Sequence, residues 1–223
     1  MNTVTKMRLS KETLNILKNF SAINSNILIK PGNILRTKSA SNNIYAEAKI
    51  SEEFETEVPI WDLNKFLGVV SMFVNPDLEF NDTHVDISNG RSFVRYHYSE
   101  PSLLTVAKKG MDIPESIISF DLSEANLNEI LKASSILQVS DLKIIAKDGN
   151  LKIYVDDQND DTSNSFSLIV NENYSGPDYE GNFNVSAIKF YPGSYKVNLT
   201  KNVITQFVHE SGLLSYCIAT KRD

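Results

Sequence analysis

The fold of this protein is decided by a stretch that the chain contains twice. Residues 127–155 read "LNEILKASSILQVSDLKIIAKDGNLKIYV", and residues 14–39 read "LNILKNFSAINSNILIKPGNILRTKS". Both copies run from apolar residues at helical spacing into a strand, a glycine turn and a second strand. The sequence therefore describes one structural unit two times.

The offset between the two copies is nearly constant. Leu122-Ser123 repeats Leu9-Ser10 at an offset of 113, and residues 130–132 repeat residues 16–18 at 114. Further on, "KDGNL" at 147–151 repeats "KPGNI" at 30–34, at an offset of 117. A period near 115 residues is too long for a solenoid repeat and predicts two similar domains.

The predicted domains are residues 1–105 and 120–223, with a connector at 106–119. The connector overlaps a stretch, residues 99–117, that contains two prolines, a glycine and no sustained periodicity. We therefore expect this segment to link the two domains without forming an element of either.

Two segments of the first domain have the spacing of amphipathic helices. The first begins after Ser10, a suitable N-cap, and places apolar residues on one face: Leu9, Leu14, Ile16, Leu17, Phe20 and Ile23. Its opposite stripe is neutral to basic and comprises Lys11, Asn15, Lys18 and Ala22. The second begins after Asp62, another possible N-cap, and its apolar face comprises Leu63, Phe66, Leu67 and Val70.

Strand patterns and turns fill most of the remaining chain. Residues 44–50 alternate apolar and polar side chains, and turn pairs occur at Pro31-Gly32, Asn81-Asp82, Asn89-Gly90 and Pro192-Gly193. A very short helix is expected near Val185 to Phe190. Each half then reads helix, strands, helix, strands, which predicts an α+β fold with helices on one face of antiparallel sheets.

The composition is that of an ordinary globular protein with an acidic balance. Hydrophobic residues make up 41% of the chain, and the formal net charge is −6. This charge argues against a surface that binds nucleic acid everywhere, although it does not say where the positive charges lie. No apolar run approaches the ~20 residues of a membrane span, so no membrane association is expected.

The sequence contains no motif typical of catalysis or metal binding. The acidic run at 155–164 has Asp161 where a calcium loop needs glycine and has no closing glutamate, so a solvated hairpin tip is favoured. His84, His97 and His209 lack metal-ligand spacing, and no phosphate-binding glycine motif occurs. Cys217 lies in an apolar run and is interpreted as a buried thiol. We therefore expect no catalytic residue, no metal, no cofactor and no enzymatic activity.

The remaining candidate chemistry is the placement of lysines on the four predicted helices. Each helix carries at least one lysine away from its apolar face, and these are Lys11, Lys18, Lys65, Lys132 and Lys189. Lysines commonly decorate solvated helix faces, and the pattern allows that interpretation. It also allows all four helices to face one polyanion through phosphate contacts, which are independent of sequence and sensitive to salt.

Several segments of the chain resemble a known protein family. The opening "MRLSKETLNILKNFSAINSNILIKPG", then "IYAEAKIS", "IWDLNKFLGVVS", "LQVSDLKIIAKDGNLKI", "YPGSYKVNL" and "SYCIATKRD" are similar to the sliding clamps, or DNA polymerase processivity factors, of T-even-like bacteriophages. The likeness covers nearly the whole chain from Met7 onward, which leaves residues 1–6 as an extension. It implies a homotrimeric ring of six similar DNA-clamp domains, with helices lining a hole that holds duplex DNA.

The same resemblance implies a set of partners. The clamp would tether the phage DNA polymerase, be loaded by an ATP-dependent clamp-loader complex, and serve late transcription with a sigma factor and a co-activator. Its location would be the cytoplasm of the infected bacterial host. The alternative from a different class is a non-enzymatic phage structural or protein-interaction module that makes no DNA contact.

By position, the resemblance also implies roles for particular residues. The side chains expected in the central hole are Arg8, Lys11, Lys18, Lys65, Lys132 and Lys189. The apolar pocket for a partner peptide is expected at Val106, Ile113, Pro114, Tyr216 and Ile218. Ring closure would join edge strands near Ser92–Tyr98 and Ser165–Val170 of neighbouring subunits.

Overall fold

The computed structural model describes residues 5–160, 162–201 and 204–220. The chain divides into two units, unit 1 from Met1 to Met111 and unit 2 from Asp112 to Asp223. The division at Met111 falls inside the segment 106–119, which the sequence assigns as a connector.

Unit 1 contains two α-helices and eight strands in the residues that the structure describes. In chain order they are β1 (Thr5–Met7), α1 (Lys11–Ile23), β2 (Ile27–Ile29), β3 (Gly32–Lys38), β4 (Ile44–Phe54), β5 (Val58–Ile60), α2 (Leu63–Ser71), β6 (Asp77–Phe80), β7 (His84–Ser88) and β8 (Phe93–His97). Four strands form an antiparallel sheet in the order β1-β6-β7-β8, while β2 pairs with β5 and β3 with β4. Helix α1 packs against β4 and α2.

Unit 2 contains one α-helix and eight strands in its described residues. The elements are β9 (Ser116–Leu122), α3 (Glu124–Leu137), β10 (Asp141–Lys147), β11 (Asn150–Asp156), β12 (Phe166–Asn171), β13 (Tyr179–Asn184), a 3₁₀ turn (Val185–Ala187), β14 (Tyr195–Thr200), β15 (Ile204–His209) and β16 (Leu214–Ala219). One sheet has the order β12-β11-β10-β13 and a second has the order β9-β14-β15-β16. Helix α3 packs against β11 and β12.

The two units repeat the order of their elements, with the 3₁₀ turn of unit 2 in place of α2, and they share most of their strand pairings. In unit 1, β1 pairs with β6, β2 with β5 and β3 with β4. In unit 2, β9 pairs with β14, β10 with β13 and β11 with β12. The α+β fold with two similar domains is therefore confirmed, although β10 also pairs with β11 in unit 2 whereas β2 and β3 lie in different sheets.

Helix α1 has the faces that the sequence predicts. The Ser10 side chain accepts a hydrogen bond from the Thr13 backbone N–H and caps the helix. Ile16, Leu17, Phe20 and Ile23 are buried, whereas the stripe of Lys11, Asn15, Lys18 and Ala22 is exposed. Asp62 caps α2 in the same way by accepting from the Lys65 N–H.

The helix expected near Val185 to Phe190 is corrected to a single 3₁₀ turn, Val185–Ala187. Pro192 disfavours helical geometry at the residue before it, so little chain is left for a helix between β13 and that proline. The side chain of Asn184 accepts a hydrogen bond from the Ser186 N–H at the start of the turn. The backbone of Ile188 has φ −82° and ψ 85°, which is not helical, so the turn ends there. The described residues therefore hold three α-helices rather than four.

Two boundaries and one strand pairing also differ from the sequence interpretation. Residues 5 and 6, assigned to an extension, belong to β1, where Thr5 lies opposite Phe80. Strand β9 begins at Ser116, inside the predicted connector. The turn at Gly32 is present with φ +111°. It does not close a hairpin between β2 and β3, because β2 pairs with β5. Strands β1 and β9 owe their conformation to partners that are distant in the sequence, which a local pattern does not reveal.

Candidate nucleic-acid interface

Unit 1 presents three of the predicted lysines on two helices that touch each other. Lys11 and Lys18 lie one above the other on the exposed stripe of α1, and Lys65 is exposed on α2. A cleft of about 440 Å³ runs along this face, with Lys11 and Lys18 among its lining residues and with apolar side chains from α2 and the segment after it. Two helices of one unit thus carry three ammonium groups on solvent-facing positions.

Unit 2 presents Lys132 on the corresponding face of α3. The buried positions Leu127, Ile130 and Ser134 follow the buried Thr13, Ile16 and Phe20 at a constant offset of 114. At this offset Lys132 corresponds to Lys18, and both are exposed. The pairing of these two lysines, inferred from the sequence repeat, therefore agrees with the orientation of each helix on its own sheet.

The face of α3 is less positive than that of α1. At the same offset Glu129 stands where α1 has Asn15, and α3 contains one lysine against two in α1. Glu129 lies three residues before Lys132, so the two charges are neighbours on the helix surface. The sequence repeat did not reveal this difference, because it matched the apolar residues rather than the charges.

The ion pairs of the described residues join strand residues, apart from Arg8 in the loop before α1, and none involves a helix residue. They join Lys6 to Asp77 and Glu79, Arg8 to Asp77, Arg36 to Glu47, His84 and Arg95 to Asp86, and Lys143 to Asp156. Within residues 5–160, 162–201 and 204–220, the lysines Lys11, Lys18, Lys65 and Lys132 take part in none of these pairs. Their charges are therefore not offset by a bonded carboxylate.

Arg8 differs from these lysines because its charge is held by unit 1. Its Nε lies 2.6 Å from Oδ1 of Asp77, and this hydrogen bond raises the pKa of Arg8 and lowers that of Asp77. Lys6 contacts the same carboxylate at 3.5 Å. Arg8 remains exposed, but a phosphate would have to compete with Asp77 for it.

Lys189 is exposed and lies two residues after the 3₁₀ turn. Its expected place on a helix is therefore wrong, although the side chain still reaches solvent. Of the six residues assigned to DNA, four are on α-helices of the two units, while Arg8 and Lys189 are on loops.

The N-terminus of α1 is fixed by a carboxylate that the sequence analysis missed. Glu52 of β4 accepts from the Ser10 N–H and, at 2.6 Å, from the Thr13 hydroxyl. Burial alone would raise the pKa of Glu52, but these hydrogen bonds outweigh it and the pKa is lowered. This contact sets the start of the lysine-bearing helix against its own sheet.

The five residues proposed for a partner peptide differ in accessibility. Ile113 is 39% exposed and Pro114 is half-buried, whereas Val106 is buried. Tyr216 is fully buried in unit 2, and its hydroxyl oxygen accepts from the Tyr191 N–H at 3.0 Å. Ile218 is also buried, so the structure gives both C-terminal residues a core role.

Two strands that the sequence assigns to subunit contacts are edges of their sheets. In the part of the chain that the structure describes, β8 ends the order β1-β6-β7-β8 and β12 begins the order β12-β11-β10-β13. Each carries an exposed large apolar side chain, Phe93 at 66% and Ile169 at 51%. Both strands therefore offer unpaired backbone groups next to apolar surface.

The described residues contain no cluster of three or more His, Cys, Asp or Glu suited to a metal ion. None of their helices has the length and apolar character needed to cross a bilayer. Asp161 of the acidic hairpin lies outside the described residues.

The fold places the chain in a known class. The structure is similar to A. fulgidus PCNA bound to the C-terminal region of FEN-1, with a TM-score of 0.70 at 12% identity, over 100% of this chain and 99% of that chain. At this identity the similarity shows the fold alone, which is that of the sliding clamps.

Sequence similarity then defines the family. The family model of the DNA polymerase processivity factor matches residues 10–105. The chain is 32% identical to the sliding clamp of Escherichia phage RB69, over 97% of this chain and 98% of that protein. It is 33% identical to the sliding clamp of Enterobacteria phage T4, over 86% and 87%. The chain belongs to the phage sliding clamp family of DNA polymerase processivity factors.

Proposed function

We propose that this clamp encircles duplex DNA as a ring of three copies and holds the phage DNA polymerase on its template without catalysing a reaction. The observation that carries this proposal is the set of helix lysines, present in both units and absent from the ion pairs of the described residues. Such lysines suit weak, sequence-independent phosphate contacts. Retention by enclosure would allow these contacts to be weak enough for sliding.

The ring is supported by the two edge strands. Joining β8 of one copy to β12 of the next is a heterologous contact, which closes into a ring when the rotation fits. It would pair backbone groups that are otherwise a liability and would cover Phe93 and Ile169. Three copies would carry a formal charge of −18, three times −6. The outer surface would then repel DNA while the helix lysines attract it.

The partners of this ring would be the phage polymerase, an ATP-dependent clamp loader and, in late transcription, a sigma factor with its co-activator. These would act in the cytoplasm of the infected bacterium. The similar A. fulgidus PCNA is bound to the C-terminal region of FEN-1. By analogy, a short segment of a partner would dock at Ile113 and Pro114, which have exposed surface.

Retention on circular DNA tests the proposal. The clamp is loaded with the loader of the same phage onto nicked circular DNA, and the complex is separated from free protein at moderate salt. We expect the clamp to stay with the circle and to leave within minutes after one cut makes the DNA linear. Equal loss from circular and linear DNA would contradict encirclement and would favour an interaction module without DNA contact.

A further inference from the structure

The turn between α1 and β2 carries two asparagines that hold a distant backbone segment. Asn24 Nδ2 donates to the carbonyl oxygen of Thr105 at 2.7 Å and to that of Lys38 at 2.8 Å. Asn26 Oδ1 accepts from the Thr105 N–H at 3.1 Å. Both backbone polar groups of Thr105 are thus bonded to side chains about 80 residues earlier in the chain.

The two asparagines are themselves held rigidly. Asn24 Oδ1 accepts from the Asn26 N–H at 2.9 Å, and Asn26 Nδ2 donates to the Trp61 carbonyl oxygen at 2.7 Å. Asn26 is 7% exposed, so its amide is a buried polar group with both ends bonded. A fully bonded network of this kind fixes one arrangement of the segments that it joins.

Further contacts continue along the same segment. Lys30 Nζ donates to the Lys108 carbonyl oxygen at 2.9 Å. Gly110 lies beside the Arg36–Glu47 ion pair, since a Cβ at Gly110 would be 3.6 Å from Glu47 Oε2. Residues 105–110 have no helix or strand, so these side-chain contacts take the place of regular hydrogen bonding.

The corresponding turn of unit 2 lacks this side-chain pair. The backbone bond from Leu63 N–H to Ser25 O has a counterpart in Val185 N–H to Ser140 O, so the turns are equivalent. At the position of Asn24, however, unit 2 has Gln138 in the left-handed conformation with φ 57°. The asparagine pair is therefore not required by the repeated fold and occurs in the unit that leads into the connector.

We propose that Asn24 and Asn26 are positioning residues for partner binding, because they fix Thr105, the residue that leads into the connector, against the rest of unit 1. The proposal rests on the proposed function, in which a partner segment docks beside this connector. If the connector were released, only a fraction of molecules would present the docking surface, and the apparent affinity would fall by that fraction.

The test substitutes Asn24→Asp. Aspartate keeps an acceptor for the Asn26 N–H but loses the donors to Lys38 and Thr105. We expect backbone amide exchange at residues 104–108 to accelerate about tenfold, as the loss of two hydrogen bonds implies. Binding of the phage DNA polymerase, measured by surface plasmon resonance with the full-length clamp, should weaken about five- to tenfold by the same reasoning.

Two further variants separate positioning from a general loss of structure. Asn81→Asp is the matched control, because Asn81 Nδ2 donates locally to the Glu79 carbonyl in the same unit. It should change neither exchange at 104–108 nor polymerase affinity. Lys30→Met removes one contact to the connector and leaves the asparagine pair intact, so a smaller effect in the same direction is expected.

Polymerase affinity equal to wild type in both Asn24→Asp and Lys30→Met, with accelerated exchange at 104–108, would overturn the inference. Unchanged exchange in both variants would overturn it as well. A wild-type clamp that does not bind the polymerase would instead contradict the proposed function, and the inference would fail with it.

Discussion

Unit 1 and unit 2 are built from the same order of elements, yet they differ strongly in charge. Residues 1–111 contain 13 Lys and Arg against 12 Asp and Glu, whereas residues 112–223 contain 9 against 16. The net formal charge is therefore +1 for the first unit and −7 for the second. Both units can adopt the same fold despite this difference in charge, because apolar spacing and strand pairing specify the fold and surface charge does not.

Helices α1 and α3 differ in their buried and capping residues but share the position of one exposed lysine. At the position of the fully buried Phe20 in α1, α3 has Ser134, whose hydroxyl donates to the Val139 carbonyl oxygen at 2.5 Å. Carboxylate capping by Glu52 supports α1, whereas the N-terminus of α3 uses Ser123 and a bond from the Glu124 N–H to Ser194 Oγ. Both helices nevertheless present a lysine at the same phase. The exposed lysine position is thus the same in both helices, although the residues that cap and pack each helix differ.

The largest expected effect concerns the two edges, one on each unit. Phe93→Asp on β8 or Ile169→Asp on β12 should dissociate the ring, because each places a charge where apolar surface would be buried. The monomer should remain folded, since both side chains are exposed. Sedimentation velocity should show the mass of one 25.0 kDa chain.

Leu213→Asp is the matched control for the edge variants. Leu213 is an exposed apolar residue, 46% accessible, in the turn between β15 and β16. It should leave the assembly intact. Assembly of both edge variants at wild-type mass would show that these strands do not join the subunits.

The second prediction compares the lysines of the two units. Lys132→Ala removes the one lysine of α3 and leaves Glu124 and Glu129, whereas Lys18→Ala leaves Lys11 on α1. We expect Lys132→Ala to reduce DNA retention more. Each lost phosphate contact makes the slope of log affinity against log salt concentration shallower by about 0.9. The loss of affinity between 50 and 200 mM salt then becomes about threefold smaller.

Polymerase processivity on a primed template at several salt concentrations measures this difference. Lys147→Ala is the control, because Lys147 is exposed at the end of β10 rather than on a helix. An unchanged salt dependence in both helix variants would remove these lysines from the DNA interface.

The smallest expected effect concerns the N-terminus of α1. Glu52→Gln should lower the free energy of unfolding by about 1 kcal/mol near pH 7, since a charged hydrogen-bond acceptor is replaced by a neutral one. The folded pKa of Glu52 is lowered, so its stabilisation is present above the unfolded value of about 4.3 and is lost as pH falls through the folded value.

Thermal unfolding of wild type and variant at neutral and acidic pH checks this. The gap between their midpoints should be open at pH 7 and close below about pH 4. Glu53→Gln, on the next and exposed residue of β4, should show no such gap. A Glu52 gap that does not change with pH would mean that the carboxylate charge does not stabilise the helix start.

Local patterns in the sequence were sufficient for much of the fold. Apolar spacing located α1, α2 and α3, and the order of strands identified β8 and β12 as edges. The short helix of unit 2 failed because Pro192 limits it, a backbone effect that side-chain spacing does not register. Strands β1 and β9 were missed because their partners β6 and β14 lie about 70 to 80 residues away.

Some features of the candidate site could be predicted from the sequence and others could not. Helix spacing placed Lys18 and Lys132 on exposed faces, since one stripe of the helix must pack on the sheet. The apolar run around Cys217 did not separate pocket residues from core residues, and Tyr216 and Ile218 are both buried. The contacts of Asn24 and Asn26 with Thr105 were invisible to the sequence, because they depend on tertiary structure rather than on a local motif.

The most direct test of the central claim, that two unequal units build one ring, is the mass of the wild-type protein by light scattering over a dilution series. At micromolar concentration and above, the account predicts a species near 75 kDa, three times the 25.0 kDa of one chain. A constant mass of 25 kDa at every concentration would contradict the ring.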